Sequence, residues 1–362
     1  MARTFISPGK YLQGSGELAR LGDHVKIYGT HALVIVSEGG KKRFGDIIAE
    51  SLAAGNVEAT YDYFKGECSQ REVDRLTEVF KASKADMVIG IGGGKIFDAS
   101  KVVAAAVDVP VVIVPTIAAT DAACSALSVI YTDDGQFKEV QYFKQNPNLV
   151  LVDTDVIAAS PVRLTVSGMG DALATYFEAR ATKQSDALTS AGGHVTLVGT
   201  ALARLCYETL IADGARAKRA LESGACTEAV ERIIEANTLI SGLGFESGGL
   251  GAAHAVHNGL TALEETHHCY HGEKVAFGTI CQLVLEDADE LDEVIEFCVA
   301  VGLPVTLAEL GVTDVSYDRV LEVARLACAE GETIHAMPFE ITPEKVAAAI
   351  LAADAYGCDA LA

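Results

Sequence analysis

Short β-branched runs alternate with helical patterns over roughly the first 155 residues, and this alternation is the strongest constraint on the fold. The strand-like runs are HALVIV, NVEATYDYF, ADMVIGIGGG, VPVVIVPT and NLVLVD, and the helical segments are KKRFGDIIAESLAAG, CSQREVDRLTEVFKASK and KIFDASKVVAAAV. Repeated strand–helix–strand units predict a parallel sheet buried on both faces. The run ALSVIYTDDGQFKEVQYF instead predicts a hairpin around Asp133, Asp134 and Gly135.

Beyond Pro161 the strand signals nearly disappear, and Ala-rich segments with a period of 3.6 residues follow one another to the C-terminus. We therefore predict an α/β domain with a parallel sheet at residues 1–160. Residues 161–362 are predicted to form an all-α domain.

The formal net charge of −22 disfavours two classes of partner, since phosphate backbones and anionic lipid surfaces repel such a chain. The longest apolar run, near VVAAAVDVPVVIVPTIAAT, is interrupted by Asp108, Pro110 and Pro115, which argues against a membrane-spanning helix. The nine cysteines contain no C-x-x-C pair, and the N-terminus has no apolar core of signal-peptide length. We therefore expect no nucleic-acid or membrane partner and a cytoplasmic location.

The segment GIGGGKIFDASK, at 90–101, follows a predicted strand and opens a predicted helix, where backbone N–H groups can bind an anion. It matches neither the G-x-G-x-x-G fingerprint, because Lys95 replaces the last glycine, nor the Walker A motif, because Ile96 replaces Ser or Thr. A tight turn is the alternative interpretation. We predict a phosphate-binding loop in which Lys95 adds charge, Asp98 accepts backbone N–H bonds, and three glycines face a pyrophosphate: Gly92, Gly93 and Gly94.

Histidines concentrate in residues 251–274, which hold five of the nine: His254, His257, His267, His268 and His271. The first two are three residues apart on a predicted helix and share a face, whereas His271 is expected at the start of the next helix. Catalytic metal sites commonly combine imidazoles with a carboxylate and leave one position open. Asp171, at a predicted helix start, is a candidate carboxylate, and a plain N-cap is its alternative role.

The chain resembles the bacterial glycerol dehydrogenases, within the iron-containing (group III) alcohol dehydrogenase superfamily, almost end to end. The resemblance rests on SPGKYLQG, GECSQREVDRL, GIGGGK, PTIAATDAACSALSVIYTDDG, GMGDALATYFEAR, IEANTLISGLGFESGGLGAAHAVHNGLTA, HHCYHGEKVAFGT and ACAEGETIH. It implies a dehydroquinate synthase-like plan: an N-terminal α/β nucleotide-binding domain, an all-α C-terminal domain, and an active site between them. Dehydroquinate synthase itself is a more distant relative.

The resemblance also implies a reaction, the reversible NAD-dependent oxidation of glycerol to dihydroxyacetone by hydride transfer from a metal-bound alkoxide, with other vicinal diols left open. The metal is usually zinc in this branch, with Fe²⁺ or Mn²⁺ as alternatives, and its ligands match Asp171, His254 and His271. Iron-dependent relatives place a further histidine where this chain has Thr175, which leaves three ligands and an open position, as suits zinc. A non-haem Fe(II) oxygenase uses similar ligands, but no β-sandwich pattern is present.

Further residues carry over from the family by position. Asp121 is expected to contact the hydroxyls of a small polyol, and Phe245 to line the pocket. Relatives form octamers, so a homo-oligomer is expected. The residues expected to line the NAD site are Gly93, Gly94, Lys95, Thr116, Ala119, Ser125, Leu127 and Tyr131.

Ser37 departs from the family, because close relatives carry Asp there to bond the adenosine ribose and repel a 2′-phosphate. Glu38 is a candidate substitute. Alternatively, the basic run Lys41, Lys42 and Arg43 accommodates NADP, or it is simply a solvated helix start.

Two other functions fit the same plan. A dehydroquinate-synthase-type lyase that uses NAD transiently needs a cluster of basic residues, yet the histidine-rich segment offers only Lys274. A non-catalytic nucleotide-binding protein does not need Asp121 together with the three candidate ligands. Among the other histidines, His257 either supports the site or is merely packed, and His267 and His268 are expected in a loop without catalytic duty.

Overall fold

The computed structural model describes residues 2–133 and 135–362, and within them a six-stranded parallel sheet organises Ser7–Ser160, which we name the sheet unit. The strands are β1 (Tyr11–Gly14), β2 (His31–Val36), β3 (Glu58–Tyr63), β4 (Met87–Gly92), β5 (Val111–Pro115), β6 (Leu127–Tyr131), β7 (Phe137–Tyr142) and β8 (Leu149–Asp153). The sheet order is β1-β8-β5-β4-β2-β3, and every pairing in it is parallel. The predicted parallel sheet is confirmed, with β1 as an additional strand.

Both faces of this sheet are buried, because alternate residues of each central strand point to opposite sides. On β2, Val34 and Val36 join one apolar cluster, whereas Leu33 and Ile35 join the other. The hairpin forms as predicted from antiparallel β6 and β7, although Asp134 lies outside the described residues. The helices of the sheet unit are α1 (Leu21–Val25), α2 (Glu38–Ala54), α3 (Gln70–Ser83), α4 (Gly94–Val107) and α5 (Thr154–Ala158).

Helices make up most of the second unit, which we name the helical unit and whose main segment begins at Pro161. They are α6 (Val162–Ser185), α7 (Leu197–Glu222), α8 (Glu228–Glu235), α9 (Ser241–Gly248), α10 (Ala252–Leu260), α11 (His271–Glu286), α12 (Leu291–Val301), α13 (Tyr317–Ala327) and α14 (Pro343–Leu361). A π-helical turn, Ala236–Ile240, separates α8 from α9. Of the helices described, none has the length and apolarity that a bilayer crossing requires.

The first described residues belong to the helical unit and not to the sheet unit. His194 donates its backbone N–H to the Ala2 carbonyl at 3.0 Å, and Ile6 donates to the Ser247 hydroxyl at 3.4 Å. The helical unit is therefore discontinuous in sequence, a feature for which residue patterns give no sign.

Two glycines let α6 and α11 cross with their backbones in contact. A Cβ on Gly272 would lie 1.8 Å from the Ser167 carbonyl oxygen, and one on Gly170 would lie 2.3 Å from the Gly272 oxygen. Any side chain at either position would force the helices apart. The crossing brings the start of α11 against the middle of α6, where Asp171 lies.

Candidate metal centre and nucleotide site

Three side chains from three helices bring their ligand atoms together in the helical unit. Asp171 comes from α6, His254 from α10, and His271 from the first position of α11. Asp171 Oδ1 lies 3.1 Å from His271 Nε2 and 3.4 Å from His254 Nε2, and the three ligand atoms all lie within 4.8 Å of one another. Ligand atoms bound ~2.1 Å from one tetrahedral zinc are about 3.4 Å apart, so the group suits such an ion.

Asp171 lies in the interior of α6, which begins at Val162, so the expectation of a helix start there is wrong and an N-cap role is excluded. Gly168 and Gly170 mimic a loop in the sequence, but both lie within α6, and Gly170 allows the close crossing with α11. The carboxylate is 1% exposed. Burial raises its pKa, but His271 and His254 outweigh that effect and hold the pKa well below its ordinary value.

The group thus holds a buried negative charge that a cation must balance. Burial alone would lower the pKa of His254, but Glu178 and Asp171 raise it well above its ordinary value. A proton on His254 therefore supplies positive charge beside Asp171 in the metal-free protein. A divalent ion bound by the same atoms would replace that proton.

Glu178 is a functional residue that the sequence analysis missed. It is fully buried, and its Oε2 lies 2.7 Å from His254 Nδ1. Its Oε1 accepts backbone N–H bonds from Gly251 and His254, both at 2.9 Å. The available signal was spacing: Glu178 follows Asp171 by two helical turns, so both carboxylates lie on one face of α6.

His257 contacts one of the candidate ligands. Its Nε2 lies 3.0 Å from His271 Nδ1, and its Nδ1 lies 3.0 Å from Asn258 Oδ1. Burial, followed by the charge on His271, holds the pKa of His257 well below its ordinary value, so this ring is neutral. His267 and His268, by contrast, are exposed and bond the carbonyls of Thr261 and Glu265, as expected of loop residues.

Two other predicted positions of the helical unit are buried. Thr175 Oγ1 lies 2.9 Å from the Ser241 hydroxyl, so its side chain ties α6 to α9. Phe245 is buried within α9, and its place in a substrate pocket remains a prediction.

In the sheet unit, the glycine loop joins β4 to α4 with a bare backbone. The N-cap of α4 is Gly93, which has no side chain to accept the N–H groups of the first turn. A Cβ on Gly92 would lie 2.5 Å from Ile96 Cδ1, and one on Gly93 would lie 2.9 Å from Ile117 Cδ1. Thr116 donates its N–H to the Gly92 carbonyl at 2.9 Å, which places it beside the loop. The loop offers a helix N-terminus suited to a phosphate.

Lys95 and Asp98 have different environments. The Lys95 ammonium is half-exposed and lies 2.5 Å from Glu67 Oε2. Asp98 is buried, which raises its pKa, and it accepts a hydrogen bond from the Val129 N–H at 3.3 Å. The expectation that Asp98 accepts hydrogen bonds from the glycine loop is therefore wrong. Its carboxylate points towards β6 instead and bonds Val129 there.

Lys101 is a second residue that the sequence analysis missed. Its buried ammonium pairs with Asp98 at 3.2 Å and donates to the carbonyls of Ala122, at 3.0 Å, and of Leu127 and Ser125. These hydrogen bonds attach the segment that carries Asp121, Ser125 and Leu127 to α4. A lysine within the apolar helix pattern KIFDASKVVAAAV was the available signal.

The other predicted cofactor residues of this unit are mostly buried. Thr116, Ala119 and Ser125 are buried, and burial raises the pKa of Tyr131 to about 12. Their contacts with a cofactor remain predictions. The predicted substrate residue Asp121 is buried as well, and its contact with a polyol remains a prediction.

Ser37 has a local structural role, since it caps α2 by accepting the Gly40 N–H at 3.0 Å. Helix α2 begins at Glu38, before the predicted KKRF segment, so the basic run lies within its first turns. Lys41 places its ammonium 3.1 Å from the centre of the Tyr61 ring, whereas Lys42 and Arg43 are exposed. These contacts fit a solvated helix start.

Comparison with known proteins gives consistent matches. The family described as iron-containing alcohol dehydrogenase matches residues 8–154. A glycerol dehydrogenase of Pseudomonas putida is 52% identical over 99% of this chain and 98% of its own length. A glycolaldehyde reductase of Halobacterium salinarum is 48% identical over the same shares of both chains. The crystal structure of the Schizosaccharomyces pombe glycerol dehydrogenase superposes with a TM-score of 0.95 at 42% identity, covering 99% of this chain and 92% of that one.

Proposed function

Because this chain belongs to the iron-containing alcohol dehydrogenase family, we propose that it oxidises glycerol to dihydroxyacetone, reversibly, with NAD as the hydride acceptor. The observation that carries the proposal is the convergence of Asp171, His254 and His271 on one ion-sized position. Full-length relatives named glycerol dehydrogenase support the choice of substrate. The sheet unit supplies the phosphate-binding loop that a dinucleotide needs.

We assign the metal site to zinc, with Fe²⁺ and Mn²⁺ as ions that similar donors also bind. Asp171 Oδ1, His254 Nε2 and His271 Nε2 would hold the ion, and the Asp171 carboxylate would offset part of its positive charge. When bound, zinc supplies a Lewis acid that lowers the pKa of an alcohol, as it does for water. Glu178 and His257 orient the two imidazoles through their Nδ1 atoms.

In the sheet unit, the backbone N–H groups at the start of α4 bind the pyrophosphate, and Lys95 adds positive charge beside it. Lys101 keeps the segment at 122–127 in place for the nicotinamide half. Asp121 accepts hydrogen bonds from a hydroxyl next to the reacting one, which favours vicinal diols over simple alcohols. The apolar Phe245 ring excludes water from the substrate.

A second substrate has specific support, because the relative from Halobacterium salinarum is named glycolaldehyde reductase. Glycolaldehyde and dihydroxyacetone both carry a hydroxyl next to a carbonyl, so Asp121 would bind either in the same way. The two substrates differ by one hydroxymethyl group, and the ratio of their kcat/KM values in a substrate panel decides which of them the pocket prefers. We further propose a cytoplasmic homo-oligomer, with eight subunits as the family suggests.

The test is the appearance of NADH when the purified protein meets glycerol and NAD, before and after EDTA treatment. We expect net NADH formation, its loss in chelator, and its recovery with zinc. A lyase that uses NAD transiently, or a protein that only binds nucleotide, would yield no net NADH, and that result would overturn the proposal.

A further inference from the structure

We propose that two carboxylates outside the ligand group, Glu178 and Glu332, fix the tautomers of His254 and His271 so that each Nε2 faces the ion. The inference rests on the proposed metal site. It extends the orienting role of Glu178 to the choice of tautomer and adds Glu332 as a further positioning residue. A neutral imidazole binds a metal through the nitrogen that lacks a proton, so the group bonded to the other nitrogen selects the tautomer.

Glu178 acts on His254 directly. Its Oε1 is held by two backbone N–H groups at the start of α10, so its Oε2 is fixed 2.7 Å from Nδ1. An ionised carboxylate only accepts hydrogen bonds, so Nδ1 must carry the proton. In the neutral ring, the lone pair then lies on Nε2, which faces Asp171 Oδ1 at 3.4 Å.

Glu332 acts on His271 through two intermediate side chains. Asn258 donates its Nδ2 to Glu332 Oε2 at 2.9 Å, which turns its Oδ1 towards His257 Nδ1 at 3.0 Å. That nitrogen must then donate, so His257 Nε2 accepts. Its partner, His271 Nδ1 at 3.0 Å, must donate in turn, and the lone pair of His271 lies on Nε2. Each hydrogen bond in this series has one allowed direction, because the series ends at the Glu332 carboxylate, which can only accept.

The contact between Glu178 and His254 is more buried than the hydrogen bonds that connect Glu332 to His271, so the two carboxylates should affect zinc affinity unequally. Glu178 is fully buried and contacts its histidine, whereas Asn258 is exposed and Glu332 is partly exposed. Thr333, next to Glu332 in the sequence, donates a hydrogen bond to the Gly251 carbonyl at 2.7 Å and so attaches this segment to the start of α10. Water competes more effectively at the exposed end, so Glu332 contributes less than Glu178.

Three single variants separate these roles. In E178Q an amide of equal size donates to His254 Nδ1 and so favours the tautomer with a proton on Nε2. In E332K the ammonium donates to Asn258, which turns its amide and reverses every bond up to His271. E330K is the matched control, because it makes the same charge change at an exposed carboxylate two residues away.

The measurement is the zinc dissociation constant of the metal-free protein, by competition with a colorimetric chelator and without substrate or NAD. We expect weakening of about 10- to 100-fold in E178Q, about 10-fold in E332K, and less than about twofold in E330K. Thermal melting checks that each variant folds. Should E178Q not fold, the comparison of E332K with E330K decides.

Excess zinc should restore turnover in E178Q and E332K, because only the affinity for the ion is changed. Zinc affinities equal to that of the wild type in both variants would overturn the inference, as would equal weakening in E332K and E330K. The outcome is separable from the proposed function: a wild-type protein that binds zinc but forms no NADH from glycerol contradicts the activity and leaves the tautomer test valid.

Discussion

The sheet unit and the helical unit build their candidate sites from different materials. In the sheet unit the backbone forms the site: glycines at the end of β4 expose the N-terminus of α4. In the helical unit side chains form it, on three helices that span residues 162–286. A site formed by the backbone depends on the absence of side chains, so that a ligand can approach the N–H groups. A site formed by side chains depends on the polar groups that hold each ligating side chain in place.

The largest expected effect is the loss of one ligand. H254A should abolish zinc binding and lower kcat/KM for glycerol by more than about 100-fold, beyond what is typical for residues that only support a ligand. NADH binding should persist, because the sheet unit supplies its own anion site. Zinc titration, steady-state kinetics and NADH fluorescence measure the three quantities. Wild-type turnover by H254A in metal-free buffer would show that the ligand assignment is wrong.

Two lysines of the sheet unit test whether their side chains contribute to stability or to cofactor binding. K101M should lower the free energy of unfolding by about 3–5 kcal/mol, because it leaves the buried Asp98 carboxylate without its cation. K95M should leave stability almost unchanged and raise the KM for NAD, because Lys95 is half-exposed. Urea unfolding and NAD kinetics of both variants provide the test. Equal losses of stability would contradict this division of roles.

Glycines should also behave differently in the two units. G272A should cost more than about 2 kcal/mol and weaken zinc binding, because a Cβ there meets the Ser167 carbonyl of α6. G94A should change stability by less than about 1 kcal/mol, because the nearest atom to its Cβ is the Thr120 hydroxyl, at 3.5 Å. Thermal unfolding and zinc titration of each variant measure these effects. A fully stable G272A would rule out the close helix crossing as the element that positions His271.

The smallest expected effect concerns pH. The pKa of His254 lies well above its ordinary value, so its proton is bound at neutral pH and zinc must displace it. Zinc affinity should therefore fall as pH falls, by about tenfold per unit for one released proton. Calorimetry in buffers of different ionisation enthalpy counts the protons released. Zinc binding that releases none at neutral pH would contradict the protonated state of His254.

Local patterns predicted much of the sheet unit. Buried strands read as uninterrupted β-branched runs, and the glycine loop lies within one short segment. Strand β1, with the sequence YLQG, escaped prediction because it is short and only partly buried. The prediction for Asp98 was wrong because its position beside the loop in the sequence does not show in which direction α4 points its side chain.

The helical unit was less predictable, because its site joins positions far apart in the sequence. Clustering of histidines indicated a metal site, and the family resemblance selected two of them together with Asp171. Spacing alone could not show that Gly170 and Gly272 bring α6 and α11 into contact. Nor could it connect Glu332 to His271, because that connection passes through two other side chains.

The most direct test of the account is anomalous diffraction at the zinc absorption edge, from crystals of the zinc-loaded protein. The account predicts one strong peak per chain, about 2.0–2.2 Å from Asp171 Oδ1, His254 Nε2 and His271 Nε2. A peak at other residues, or no peak at these three in a protein whose activity requires zinc, would contradict it.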